Sequence, residues 1–209
     1  IIAPIVSGRA DYSKGNRFDT LESLEQMPKI RIFGNAVLSL MSKVSTGYWN
    51  ITDPTNGYTA IHRSILSQLP MAKVHRRFFF ESDMLYRLAV MRAVVWDVPI
   101  AATYGDEKSN LKISKVVWEF PRRHFANYLK RIFYQYYLRE LNIASFELPL
   151  GVLMVLFGLI TGFVRLAQST AGAAAASAGT VMLSAVPLIL GFQLILAFLS
   201  YDISSTPKR

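Results

Sequence analysis

The sequence predicts an α/β domain followed by a two-helix membrane hairpin, and three observations predict it. Charged residues are concentrated ahead of Glu147 and nearly vanish afterwards, so the formal net charge of +9 sits almost wholly in the first part of the 209 residues. Residues 146–166 and 180–199 are apolar runs, each of about the twenty residues that a helix needs to cross the hydrocarbon core. Upstream, short apolar stretches alternate with helix-period segments, the strand, helix, strand, helix, strand order of layered α/β domains.

Residues 1–6 are an apolar run that reads as a buried strand. They lack the basic region and cleavage site of a signal peptide, so the sequence reads as a fragment entered midway through a strand. Residues 7–16 carry two glycines and polar side chains and predict a loop, and residues 18–28 are acidic and polar. Over residues 30–44, Ile30, Phe33, Val37, Leu38 and Met41 follow helical spacing, and Thr46-Gly47 ends that helix. Asp53-Pro54-Thr55-Asn56-Gly57-Tyr58 is a turn signature. In it Asp53 can bond the backbone of the turn it opens, and Gly57 can supply unusual backbone angles. Residues 58–62 read as a short strand and residues 64–69 as a helical turn closed by Pro70. Phe78-Phe79-Phe80 leads into Glu81-Ser82-Asp83 and a helix from Met84, with Ser82 or Asp83 as its N-cap. Residues 94–102 are mostly apolar and predict a buried strand.

A bilayer offers no water to backbone amides, so the two apolar runs predict helices. Residues 168–179 between them hold Ala, Ser and Gly and no charge. Bases from Lys108 to Arg139 precede the first span, and Lys208 and Arg209 follow the second. The excess of Lys and Arg places the soluble domain and both ends of the hairpin in the cytoplasm. Residues 112–141 mix bases with aromatics, and Phe125, Leu129, Ile132, Phe133, Tyr136 and Tyr137 share one helical face. Such a segment is suited to lie in the membrane interface, each base gaining roughly 1 kcal/mol from anionic head groups. Pro121 is expected to separate two such helices. The membrane accounts for these bases, so nucleic acid is not an expected partner. With no cysteine there is no disulfide framework, thiolate metal site or cysteine nucleophile.

Several stretches together resemble family 2 glycosyltransferases of the polyprenyl-phosphate sugar synthase type, which include dolichyl-phosphate mannose synthase and undecaprenyl-phosphate glucosyltransferases. Ala10-Asp11-Tyr12-Ser13-Lys14-Gly15-Asn16-Arg17-Phe18 resembles one of their loops. Asp53-Pro54-Thr55-Asn56-Gly57-Tyr58-Thr59-Ala60 is similar to their D-P-x-S-G-Y-x-A stretch, with Asn56 where serine is usual. Phe79-Phe80-Glu81-Ser82-Asp83-Met84-Leu85 resembles their acidic catalytic segment, and Gly179-Thr180-Val181-Met182, Gly191-Phe192-Gln193 and Tyr201-Asp202-Ile203 resemble the second span and tail of anchored members.

The resemblance implies a GT-A fold, a nucleotide-sugar donor, a divalent cation (Mg or Mn), a polyprenyl-phosphate acceptor and inversion at the anomeric carbon. Residues 1–110 would be the acceptor-side, C-terminal half of the catalytic domain, residues 111–145 juxtamembrane helices, residues 146–203 the hairpin and residues 204–209 a cytosolic tail. Members also carry a donor-binding half with an Asp-x-Asp metal motif, and this sequence contains no Asp-x-Asp. The chain alone is therefore expected to be inactive and to bind no cation by itself.

The expected acceptor nucleophile is a phosphate oxygen, already anionic at neutral pH, so cationic positioning matters more than a general base. Arg17 and Arg31 are the expected phosphate ligands, because arginine presents a planar fork that matches phosphate and the resemblance places such arginines there. Asn35, one helical turn after Arg31, joins them, with Lys14 and Lys108 as weaker additions. Asp83, then Glu81, are the expected catalytic acids. Asp53, Asn56, Gly57 and Tyr58 shape the acceptor site. His62, His75 and His124 lack partners at metal spacing and are expected to take ordinary surface or packing roles. The setting would be a bacterial inner or plasma membrane, or the endoplasmic reticulum, and self-association into a homo-oligomer is compatible with it. The competing reading is a non-enzymatic two-span anchor whose basic head binds anionic lipid or a partner protein.

Overall fold

The computed structural model describes residues 1–19, 29–100, 113–170 and 177–208, and only the backbone of residues 31 and 113–117. The expected polar segment at 20–28, Lys108 and the middle of the hairpin loop lie outside the described residues. The chain divides into two compact units, Ile1–Gln135 with Ser205–Arg209, and Tyr136–Ser204. It is mostly helical, with one small mixed sheet.

The first unit runs α1 (Ala3–Val6), β1 (Tyr12–Asn16), α2 (Lys29–Thr46), β2 (Thr59–Ile61), α3 (Arg63–Leu66), α4 (Phe80–Val90), β3 (Val95–Pro99) and α5 (Ile113–Phe133). The sheet order is β2-β1-β3. β1 pairs antiparallel with β2, Tyr12 opposite Ile61, and parallel with β3, from Tyr12 opposite Val95 to Asn16 opposite Pro99. The core gathers Tyr12, Tyr48, Ile51, Met84, Leu85, Leu88 and Val95 among others. The Tyr48 hydroxyl donates to the Ala93 carbonyl at 2.6 Å, and Asp11 accepts the Val94 amide at 2.8 Å.

Four sequence expectations are corrected here. Residues 1–6 are not a strand. Pro4 sits in the first turn of α1, where its missing N–H is no loss, and Gly8, at φ 70°, turns the chain back after it. A six-residue apolar run has no periodicity to separate the two readings. The expected loop at 7–16 contains the central strand β1, every residue of which is buried. Gly57 has no left-handed backbone; among the described residues the glycines that do are Gly8 and Gly47. Finally, α5 runs unbroken through Pro121. Proline removes one helical hydrogen bond, but the flanking turns are pinned, because the Phe120 and His124 rings meet Phe79 edge-on at 5.5 and 5.0 Å.

α4 begins four residues earlier than expected, at Phe80, with no side-chain cap. Asp83 is thus inside its first turn, where a carboxylate favours the helix dipole. α5 buries a polar stripe. Ser45 Oγ lies 2.7 Å from His124 Nδ1, and Arg131 donates to the Val44 carbonyl at 2.9 Å, capping the C-terminal end of α2 from another helix. Burial lowers the His124 pKa to about 4.

The second unit holds part of a π-helical segment (Tyr134–Arg139), α6 (Ala144–Thr170) and α7 (Ala178–Ser204). Both helices are long and apolar enough to cross a membrane, with mean hydropathy of 2.2 and 2.3 over their best windows. Only 11% of each window is buried, whereas a soluble core helix would be mostly covered. The helices meet through glycines. A Cβ on Gly191 would stand 2.8 Å from the Gly151 carbonyl and the Val155 amide, and one on Gly158 would stand 2.7 Å from the Ser184 carbonyl. Small residues at such points let backbones approach in lipid. Replacing Gly191 with Ala should therefore lower the unfolding temperature in detergent, by about 1–3 kcal/mol of overpacking. Gly162→Ala, whose Cβ would meet only ordinary contacts at 3.7 Å, should leave it unchanged. At the base of the hairpin, the Tyr136 hydroxyl donates to buried Asp202 at 2.6 Å, and Asn142 to the Tyr201 hydroxyl at 3.1 Å.

Candidate functional site

Several charged groups of the first unit meet near the C-terminal end of β1. β1 is the middle strand and every one of its residues is buried, Lys14 fully so. Its Nζ donates to the Asn56 carbonyl. Burial is the main influence on Lys14 and lowers its pKa to about 8, against the raising fields of Glu81, Asp53 and Asp97. It thus remains largely a cation at neutral pH, at the centre of three carboxylates.

The turn at 53–58 crosses the end of β1 and is stitched to it. Asp53, fully buried, accepts from Arg17 Nε at 2.7 Å and from its terminal nitrogen at 3.0 Å, a bidentate fork. Thr55 Oγ1 donates to the same carboxylate at 3.3 Å. Asn56 donates to the Gly15 carbonyl at 2.9 Å and accepts the Tyr58 amide at 3.0 Å. The side-chain-to-backbone contact expected of Asp53 in the turn is therefore made by Asn56, because Arg17 occupies Asp53. Gly15 allows this approach: a Cβ there would lie 3.0 Å from Asn56 Nδ2 and 2.6 Å from the end of Ile100.

Asp97 on β3 completes the cluster. One of its oxygens accepts the Thr52 amide at 2.7 Å, and the other is buried with no hydrogen-bond partner among the described residues. Burial raises its pKa to about 6; the field of Asp53 adds to this, and the Thr52 amide and Lys14 oppose it. Asp97 was not among the candidate residues expected from the sequence. Its available signal was an acid inside an otherwise apolar strand, since a buried carboxylate is rarely placed without a role.

The two candidate acids go to different places. Glu81 faces the turn: a Cβ on Gly57 would stand 3.6 Å from Glu81 Oε1, and the Glu81 charge is felt by Lys14 and Tyr12. Asp83 turns away, accepting the His75 amide at 2.8 Å and Arg87 Nε at 3.0 Å. Arg31 and Asn35 lie one turn apart on α2, and Tyr58 is exposed on the turn. His62 caps α3 by accepting the Ser64 amide, and the His75 and His124 rings both pack on Phe79. Among the described residues, no three of His, Asp and Glu converge as a metal ion would require.

No family model matches the chain. Over 106 residues it is 26% identical to the UDP-N-acetylglucosamine–dolichyl-phosphate N-acetylglucosaminyltransferase of Methanococcus voltae, a match that covers 51% of this chain and 42% of that protein. The match therefore spans less than half the length of that relative. This likeness supports a glycosyltransferase, and the two apolar helices support a membrane protein.

Proposed function

We propose that the chain is the acceptor-side, membrane-anchored part of a family 2-like, GT-A glycosyltransferase that moves a sugar from a nucleotide sugar to a polyprenyl phosphate at the cytosolic face. The observation that carries this reading is Arg17. It is a partly exposed guanidinium held by a buried carboxylate just past the end of the central strand, near Lys14. A guanidinium held in place by Asp53 puts a fixed positive charge at this point, which suits an anionic phosphate oxygen. The likeness to a transferase whose name includes dolichyl phosphate supports the same acceptor class.

In the proposed reaction a phosphate oxygen attacks the anomeric carbon from the face opposite the nucleoside diphosphate. The new bond is carbon to phosphate oxygen, the broken bond is carbon to diphosphate oxygen, and the configuration inverts. Arg17 orients the acceptor, with Arg31 and Asn35 of α2 as further phosphate contacts. Lys14 acts through the turn by holding Asn56. Glu81, nearer the cluster than Asp83, is the better placed carboxylate to orient the reacting groups. The nucleotide sugar and any divalent cation are assigned to a donor-binding part of the working enzyme.

Transfer of labelled sugar to extractable polyprenyl phosphate, measured on the protein in its native membranes, tests the reading. Arg17→Ala should lower transfer by about 10²-fold or more while membrane attachment is kept. Arg17→Lys, which keeps charge but loses the fork, should recover only part. Unchanged transfer in Arg17→Ala would remove Arg17 from the acceptor site. Absence of transfer in the unaltered protein with every nucleotide sugar, alongside binding to anionic vesicles, would favour the non-enzymatic anchor.

A further inference from the structure

The C-terminal end of α2 is closed by its own turn, by α5 and by the segment after α7. Gly47 follows the helix at φ 78°, a left-handed turn that suits glycine, and its amide donates back to the Lys43 carbonyl at 2.8 Å. Arg131 of α5, 2% exposed, donates to the Val44 carbonyl at 2.9 Å. It packs so closely on the turn that a Cβ on Gly47 would stand 2.6 Å from Arg131 Nη1. Thr206 completes the cap. Its hydroxyl donates to the Gly47 carbonyl at 3.2 Å across 159 residues of chain, and the residue is 6% exposed. Residues 205–209 follow α7 directly, yet they group with the first unit and not with the hairpin.

Burying a threonine hydroxyl costs free energy unless it is hydrogen-bonded, and the carbonyls at a helix end are acceptors that the helix itself leaves unpaired. Thr206 and Gly47 therefore satisfy each other. The helix they close carries Arg31 and Asn35, and Asn35 stands about 18 Å along the axis from Gly47. A helix is stiff over that length, so a small rotation at its capped end moves side chains nearer its start. We propose that Thr206 is a positioning residue of the acceptor site: through Gly47 it fixes the end of α2 and thereby the setting of Arg31 and Asn35. This role rests on the reading of those two residues as phosphate contacts.

Thr206→Val keeps the shape of the side chain and removes its hydroxyl. In native membranes it should raise the KM for polyprenyl phosphate by about three- to tenfold, the worth of one hydrogen bond, with kcat and the KM for the nucleotide sugar unchanged. Thr206→Ser, which keeps the hydroxyl, should restore the KM. Amide exchange over residues 43–47 of the full chain in detergent should speed up in Thr206→Val and return to the original rate in Thr206→Ser. Faster exchange with an unchanged acceptor KM would overturn the positioning role. So would a lower kcat with both KM values moved alike, the sign of a general loosening. Unchanged exchange in Thr206→Val would overturn the cap itself. If the unaltered protein transfers no sugar, the acceptor reading fails and the positioning role goes with it, while the exchange rates still decide whether Thr206 caps α2.

Discussion

Asp53→Ala should abolish transfer and lower the unfolding temperature of the soluble unit, and adding Arg17→Ala should return part of the stability without returning transfer. The basis is the fork between a fully buried carboxylate and a guanidinium whose side chain is 29% exposed. Breaking a buried pair by removing one partner leaves the other uncompensated, typically at about 3–5 kcal/mol. Solvent reaching Arg17 reduces that here to about 2 kcal/mol, or roughly 4–8 °C for a unit of this size. Arg17→Ala should cost more than Asp53→Ala, since it strands the buried carboxylate rather than the half-solvated cation. The double variant removes both charges, and the coupling appears as non-additivity in a double-mutant cycle. Thermal unfolding in detergent and transfer in membranes check the two halves. Additive losses would mean that the fork does not hold the turn. Recovered transfer in the double variant would mean that Arg17 serves structure alone.

Between about pH 4 and pH 6 a half-buried carboxylate and a buried histidine should pull stability in opposite directions. Asp97 has a folded pKa raised to about 6 from 3.8, chiefly by burial. The folded state then holds the proton more tightly than the unfolded chain, so the contribution of Asp97 to stability falls as pH rises from about 4 to about 6. His124 has a folded pKa lowered to about 4 from 6.5, by burial. The folded state holds its proton less tightly, so its contribution is lost as pH falls from about 6.5 to about 4. Each shift of about two units corresponds to roughly 2–3 kcal/mol. The unaltered protein should show a shallow profile, Asp97→Asn a steep loss on acidification, and His124→Gln a gain. Unfolding temperatures at half-unit pH steps measure this. An Asp97→Asn profile parallel to that of the unaltered protein would show that Asp97 ionises freely. Both groups lie in the first unit, so the hairpin does not enter the comparison.

How much was legible in the sequence varied with the range of the interactions that decide each feature. Helix α2 and strand β3 were read nearly in place, because helical spacing and an apolar run are local patterns. The Asp53–Tyr58 turn was located from its residues, yet the partner of Asp53 was not, since Arg17 lies 36 residues away. β1 was missed because Tyr12-Ser13-Lys14-Gly15-Asn16 is polar, and polar residues enter a central strand only when distant groups satisfy them. Here the Asn56 carbonyl takes Lys14, and the Ile1 carbonyl takes Ser13 at 2.6 Å. Pro121 misled for a related reason: its local effect on a helix is real, but packing on Phe79 outweighs one lost hydrogen bond.

The sequence by itself determined the apolar hairpin and the cationic character of what precedes it, because bilayer thickness and net charge act on composition alone. Tertiary structure decided which charges meet. It sent Glu81 toward Lys14 and Asp83 toward Arg87, two carboxylates two residues apart that α4 turns to different sides. It also drew Asp97 into the cluster through the parallel pairing of β3 with β1. Electrostatic coupling depends on distance through space and on burial, and neither is written in the spacing of residues along the chain.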